Sequence, residues 1–179
     1  MNEVQIQDKK FAIFLRNAKI EAAIADLAQQ INADYSGKNT VPLFLSVLNG
    51  SFMFAAQLMK HIEFPCEISF VKLASYHGER STEKVTELIG ISDSLVNRHV
   101  IVVEDIVDTG NTYEALLQTL RRYSPQSIKM AALLLKPDVY HKPYPIDYAA
   151  LRVPNDFIVG YGLDYNGQGR NLPDIYKVV

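Results

Sequence analysis

The amino-acid sequence predicts an α/β fold, a parallel twisted sheet flanked by helices, on three observations. Consecutive apolar, largely β-branched residues, Val100 to Val103 above all, read as strands covered on both faces. Stretches with helical spacing of apolar residues alternate with these runs through the middle of the chain. The chain has 179 residues and no internal repeat or Pro/Gly/Ser-rich divide, which is the size of one domain. Such a domain buries on the order of 70% of the surface its unfolded chain exposes.

The elements follow in order. A first helix is expected from Asn17 to Tyr35, where Ile20, Ile24, Leu27 and Ile31 share one face and Glu21, Asp26 and Gln29 lie off it. Asn17 is the candidate cap and Gly37 the stop. Val41 to Leu48, halted by Asn49 and Gly50, reads as a strand, and Ser51 to His61, carrying Phe52, Ala55, Ala56 and Met59, as a helix. Ile68 to Ala74 is a further strand, after which Tyr76 to Glu87 is too polar to join a core. Val100 to Val103 then leads to a helix from Thr112 to Tyr123, with Leu116, Leu117 and Leu120 at core spacing, and Ile128 to Leu135 repeats the buried-strand pattern. In a sheet of this kind ligands are expected at the carboxyl ends of the strands.

Composition narrows the function classes. With 18 basic against 20 acidic residues and a pI near 6.1, the chain lacks the clustered basic surface of a nucleic-acid binder. A compact anion held by backbone amides stays compatible with this balance. The single cysteine, Cys66, cannot close an internal bridge, and no Cys/His spacing suits zinc, so a reducing cytoplasmic setting is expected. The longest apolar runs stop at Arg16 and Lys136, too short for a membrane span.

The stretch Val100 to Thr112 carries the chemistry: an apolar strand, two acids, then Asp108, Thr109, Gly110, Asn111 and Thr112 at a turn into a helix. Free N–H groups and the positive end of the helix dipole converge there, which suits a phosphate. Gly110 permits close backbone approach, and the Thr109 and Thr112 hydroxyls add donors. Glu104 and Asp105, expected at the strand's carboxyl end, can hold a ribose diol or a hydrated Mg²⁺. As ordinary structure the acids would be a solvated loop and Thr109 a helix cap, with nothing to offset the repulsion among three acids in five residues. No Gly-Lys-Ser/Thr loop and no Gly-x-Gly-x-x-Gly is present.

At these residues the sequence resembles the phosphoribosyltransferases that use phosphoribosyl pyrophosphate (PRPP). The segment Phe157 to Asn166, followed by Arg170 and Leu172-Pro173, is similar to the carboxyl-terminal region of their hypoxanthine-guanine, or 6-oxopurine, branch, and Ser75-Tyr76 sits where that branch begins a mobile lid. The resemblance spans roughly residues 41 to 176 and implies a type I phosphoribosyltransferase fold, in which residues 1–179 form one domain with a small hood built from the N- and C-terminal segments.

It further implies that Asp105 to Thr112 seat the 5′-phosphate, that Glu104 and Asp105 meet the ribose hydroxyls or their Mg²⁺, and that Asp108 is the general base near N7 of the purine. Lys136, on its own a snorkelling strand-end lysine, would donate to O6; Phe157 would stack on the base, and Ile158 would offer backbone groups to its edge. Asp164 would face the base and a second Mg²⁺, and Arg170 would clamp pyrophosphate. Leu48-Asn49-Gly50-Ser51 matches the main-chain pyrophosphate loop, which often holds a non-proline cis peptide; Asn49 stands where lysine is common, so the backbone role is kept and no side-chain role is assigned. The implied activity joins hypoxanthine or guanine to PRPP with Mg²⁺, in a homodimer or homotetramer. Alternatives are a phosphoribosyltransferase for another base, such as xanthine, and an RNA-binding regulator on the same fold.

Overall fold

The computed structural model describes the backbone of residues 2–76, 85–89 and 94–179 and the side chains of residues 2–73 and 94–179. In chain order the elements are β1 (Glu3–Ile6), β2 (Lys9–Leu15), α1 (Asn17–Tyr35), β3 (Leu43–Val47), α2 (Phe52–Met59), β4 (Glu67–Tyr76), β5 (Val85–Ile89), β6 (His99–Val107), α3 (Asn111–Arg121), β7 (Ser127–Leu135), β8 (Tyr148–Arg152), β9 (Ile158–Val159) and β10 (Ile175–Val178).

The apolar runs behave as strands buried on both sides because helices cover both faces of their sheet. Phe44, Ile101, Val103, Ala131 and Leu133 point into a core shared with Ile20, Ile24, Leu27 and Ile31 of α1 and Phe54 and Leu58 of α2. Their sequence neighbours Leu43, Leu45, Val100, Val102 and Met130 point the other way, onto Leu116, Leu117 and Leu120 of α3. This two-sided burial removes the polar alternation that a one-sided strand would show.

The main sheet has the order β5-β4-β3-β6-β7-β8. β4, β3, β6, β7 and β8 run parallel, and β5 pairs antiparallel with β4 at the edge. From β3 the chain moves outward to β4 and later returns to the other side of β3 as β6, then continues to β7 and β8. The order therefore reverses between β3 and β6, and a crevice opens beyond the carboxyl ends of these two strands. The turns after β3 and β6, at Leu48 to Ser51 and Asp108 to Gly110, both leave from that point.

A second, antiparallel sheet, β1-β2-β10-β9, joins the two ends of the chain around Ile6, Phe11, Val159 and Tyr176. Helix α1 has the expected span, but its cap differs from expectation. The N-cap is Arg16, with no side-chain cap of its own, and the Asn17 amide donates to Asp174 Oδ1 at 2.7 Å. An acid brought in by the second sheet, 157 residues away along the chain, meets the first free amide, so the Asn17 side chain is not needed as a cap.

Candidate active site

The turn after β6 leaves a helix start open. Gly110 is the N-cap of α3 at φ 82°, in the left-handed region where a Cβ is strained, and no side chain caps the helix. The first helical bond runs from the Glu114 amide to the Gly110 carbonyl at 2.9 Å, so the amides of residues 111–113 have no acceptor within the helix. They border a cavity of about 160 Å³ lined by Glu104, Ile106 and the Val107–Tyr113 turn. Thr109, Asn111 and Thr112 are exposed and Gly110 is buried. Tyr140 and Lys142 pack behind Gly110, where a methyl group built on the glycine would run into the Tyr140 ring.

Strand β6 runs on past the apolar run that ends at Val103 and reaches Val107, so Glu104 and Asp105 lie within its carboxyl-terminal half. Glu104 is only 6% exposed, and its Oε1 has no hydrogen-bond partner among the described residues. Burial, reinforced by the neighbouring Asp105 charge, pushes its carboxyl well above the usual range. Asp105 is raised to about 6, chiefly by burial; the Ile106 amide, donating to its Oδ1 at 2.9 Å, and Arg170 pull it down, while Asp164 pushes it up.

Three loops interlock at this acid pair. The Leu48-Asn49 peptide is cis, Asn49 is exposed, and Gly50 is buried against the Asp105 carboxylate, where an alanine methyl would overlap. A Cβ on Gly162 would in turn strike the Gly50 carbonyl. Arg170 donates from Nη1 to the Gly162 carbonyl at 2.8 Å and pairs through Nη2 with Asp164 Oδ1 at 2.6 Å; the other Asp164 oxygen accepts from the Gly167 amide at 2.7 Å. Ser51 fastens the turn from below by bonding to the Val47 carbonyl and, at 2.7 Å, to the Ser46 hydroxyl.

On the other side of Glu104, Lys136 continues the β6–β7 ladder through its amide. Its ammonium is 3.2 Å from Asp108 Oδ2 and 3.1 Å from Asn155 Oδ1, with a side chain only 8% exposed, so it does not snorkel. Phe157 is 46% exposed and leans on Phe11 and Tyr165, with ring centroids at 6.2 and 5.7 Å. The Val178 amide donates to the Phe157 carbonyl. By the alternation of an antiparallel ladder, Ile158 then turns its own N–H and C=O away from β10, toward the free edge of the sheet. The backbone of Ser75 and Tyr76 ends β4 opposite Thr86 and Val85; their side chains and residues 77–84 lie outside the described residues.

Among the described residues no three acids, histidines or cysteines form a metal cage. Asp105 and Asp164 feel one another across Arg170, however, and Mg²⁺ is commonly held by one or two carboxylates plus ligand phosphates. The donor set therefore fits a cation that arrives with a phosphate-bearing ligand. The sequence gives no role to Ser46 or Asn155, places Ser51 in the pyrophosphate-loop match and leaves Tyr140 as structural. A serine inside the apolar run Leu43–Val47 was the available signal for Ser46, whereas Asn155 and Tyr140 acquire partners only through the fold.

A phosphoribosyl transferase domain family model matches residues 12–166. A hypoxanthine-guanine phosphoribosyltransferase of Streptococcus pneumoniae is 38% identical over 164 residues, covering 91% of this chain and 90% of the relative. A hypoxanthine-guanine-xanthine phosphoribosyltransferase of Tritrichomonas foetus is 37% identical over 177 residues, covering 98% and 95%. The crystal structure of a hypoxanthine-guanine phosphoribosyltransferase from Bacillus anthracis, with HEPES in its active site, superposes with a TM-score of 0.84 at 34% identity over 98% of this chain and 100% of that one. With its parallel sheet, its matching domain and these relatives over nearly its whole length, the chain belongs to the hypoxanthine-guanine phosphoribosyltransferase family and has the type I phosphoribosyltransferase fold.

Proposed function

We propose that the protein transfers the 5-phosphoribosyl group of PRPP to a free 6-oxopurine, hypoxanthine or guanine, with Mg²⁺, releasing pyrophosphate and a mononucleotide for purine salvage. The observation that carries this reading is the 3.2 Å pairing of Lys136 with Asp108 beside an open helix start. A cationic donor and an anionic acceptor stand as near one another as O6 and N7 do on one purine edge.

In this reading the amides of residues 111–113 and the Thr109 and Thr112 hydroxyls hold the 5′-phosphate, and the orphaned Glu104 with Asp105 meets the ribose diol. Phe157 stacks on the base, the free backbone of Ile158 and the Asp164 region meet its edge, and Lys136 donates to O6. As the C1′–oxygen bond to pyrophosphate breaks and N9 bonds to C1′, Asp108 accepts the proton leaving N7. The Asn49-Gly50 backbone and Arg170 stabilise departing pyrophosphate, which requires Arg170 to exchange part of its pairing with Asp164 for phosphate oxygens. Mg²⁺, when bound, neutralises pyrophosphate charge, and Asp105, Asp164 and Glu104 are the residues that would hold it. The sugar becomes oxocarbenium-like and open to capture by water, so the polar Tyr76 to Glu87 segment is the candidate lid.

The domain 1–179, with the β1-β2-β10-β9 sheet as its hood, would work in the cytoplasm as a homodimer or homotetramer. The test is incubation with Mg²⁺, PRPP and a panel of free bases. Mononucleotide from hypoxanthine or guanine and none from uracil is the expected result, and xanthine ranks the third 6-oxopurine. A protein inert toward every base, or one retaining RNA on a filter with a steep salt dependence, would reject the reading.

A further inference from the structure

The ammonium of Lys136 has three N–H donors and, among the described residues, two acceptors, Asp108 Oδ2 at 3.2 Å and Asn155 Oδ1 at 3.1 Å. The acceptors come from separate elements: Asp108 follows β6, and Asn155 sits between β8 and β9, two residues before Phe157. We propose that Asn155 is a positioning residue that aims the remaining Lys136 donor at a 6-oxo group and so sets selectivity for 6-oxo over 6-amino bases, an inference that rests on the base pocket proposed above.

Two observations support it. Lys136 is nearly buried, with a side chain 8% exposed, so its direction is set by what it bonds and not by water. Asp108 alone would draw the ammonium into a two-body ion pair already satisfied without a base, whereas an acceptor oxygen on a second element holds the cation off that pairing. With both anchors in place the third donor has a fixed direction. A 6-oxo group accepts from it, and a 6-amino group presents a hydrogen to it and is rejected. Losing the anchor frees the ammonium to turn out of line with the base, which weakens the oxo contact and relieves the clash with an amino group.

Asn155 is exposed, so its substitution leaves the core intact. Steady-state kinetics of Asn155→Ala with hypoxanthine are expected to show the base KM raised about tenfold, with kcat and the PRPP KM within about twofold, and adenine a stronger competitor relative to hypoxanthine. Asn155→Asp, which keeps an acceptor oxygen of the same reach, is expected to recover most of the loss. Asn155→Ser, polar but too short to reach Lys136, guards against a folding artefact and is expected to match the alanine variant. An unchanged base KM in the alanine and serine variants, equal rises in both substrate KM values, or no recovery with aspartate would overturn the proposal. A wild-type protein inert toward all bases would overturn the pocket reading instead.

Discussion

Asp108 and Asp105 sit three residues apart in different surroundings. Asp108 is half-exposed and faces Lys136, where a base can reach it. Replacing it with asparagine keeps the shape and removes the proton acceptor, so kcat should fall about 100-fold or more while the PRPP KM moves only a few-fold. Equal losses in turnover and PRPP binding would reject the base assignment. Asp105, raised to about 6 from an ordinary 3.8, holds a proton in the folded state over the range where the unfolded chain has released it. The folded state therefore binds more protons between about pH 4 and 6, and stability falls as pH rises through that window. Asp105→Asn should accordingly melt several degrees above the wild type at pH 7.5, for a ceiling of about 3 kcal/mol, with the difference vanishing below about pH 4. A variant less stable than wild type at pH 7.5 would contradict the burial that raises this acid. Sequence spacing marked both acids, but which one is buried and which one meets a lysine became visible only once β6 was seen to run on to Val107.

Element by element, legibility followed how local each signal is. β3, α2, β4, β6, α3 and β7 were readable because apolar runs and helical spacing are properties of neighbouring residues. β1, β2, β9 and β10 were not, because β1, β9 and β10 are only four, two and four residues long and β2 is held by β10 from the other end of the chain. Phe11 to Leu15 drew notice only as too short for a membrane, yet it forms most of the strand that pairs with both β1 and β10. The same limit explains the α1 cap, whose Asp174 no local pattern could supply. The Leu48–Ser51 turn, proposed to hold pyrophosphate, shows the reverse case, where a local motif gains its force from a distant contact. Gly50→Ala would place a methyl group inside the Asp105 carboxylate. The PRPP KM is expected to rise tenfold or more, with the hypoxanthine KM nearly unchanged; an unaffected PRPP KM would show that this turn does not touch the substrate.

Over the whole molecule, the reversal of strand order between β3 and β6 brings the two main-chain loops to one crevice, and the antiparallel sheet brings Phe157, Asp164 and Arg170 over it. Fold class and the turn after β6 were legible because their signals are runs of neighbouring residues between β3 and β7; the interlock of Gly50, Asp105 and Gly162 depends on three distant segments and was not. In the proposed reading the uncapped start of α3, with the acids before it, grips a sugar phosphate. Backbone amide shifts recorded while inosine monophosphate and Mg²⁺ are added test this most directly. The largest movements are expected at residues 109–113, with smaller ones at Lys136 and Ile158. Saturable binding that leaves residues 109–113 unmoved and shifts amides elsewhere, such as those of β1 and Gly167 to Leu172, would contradict it.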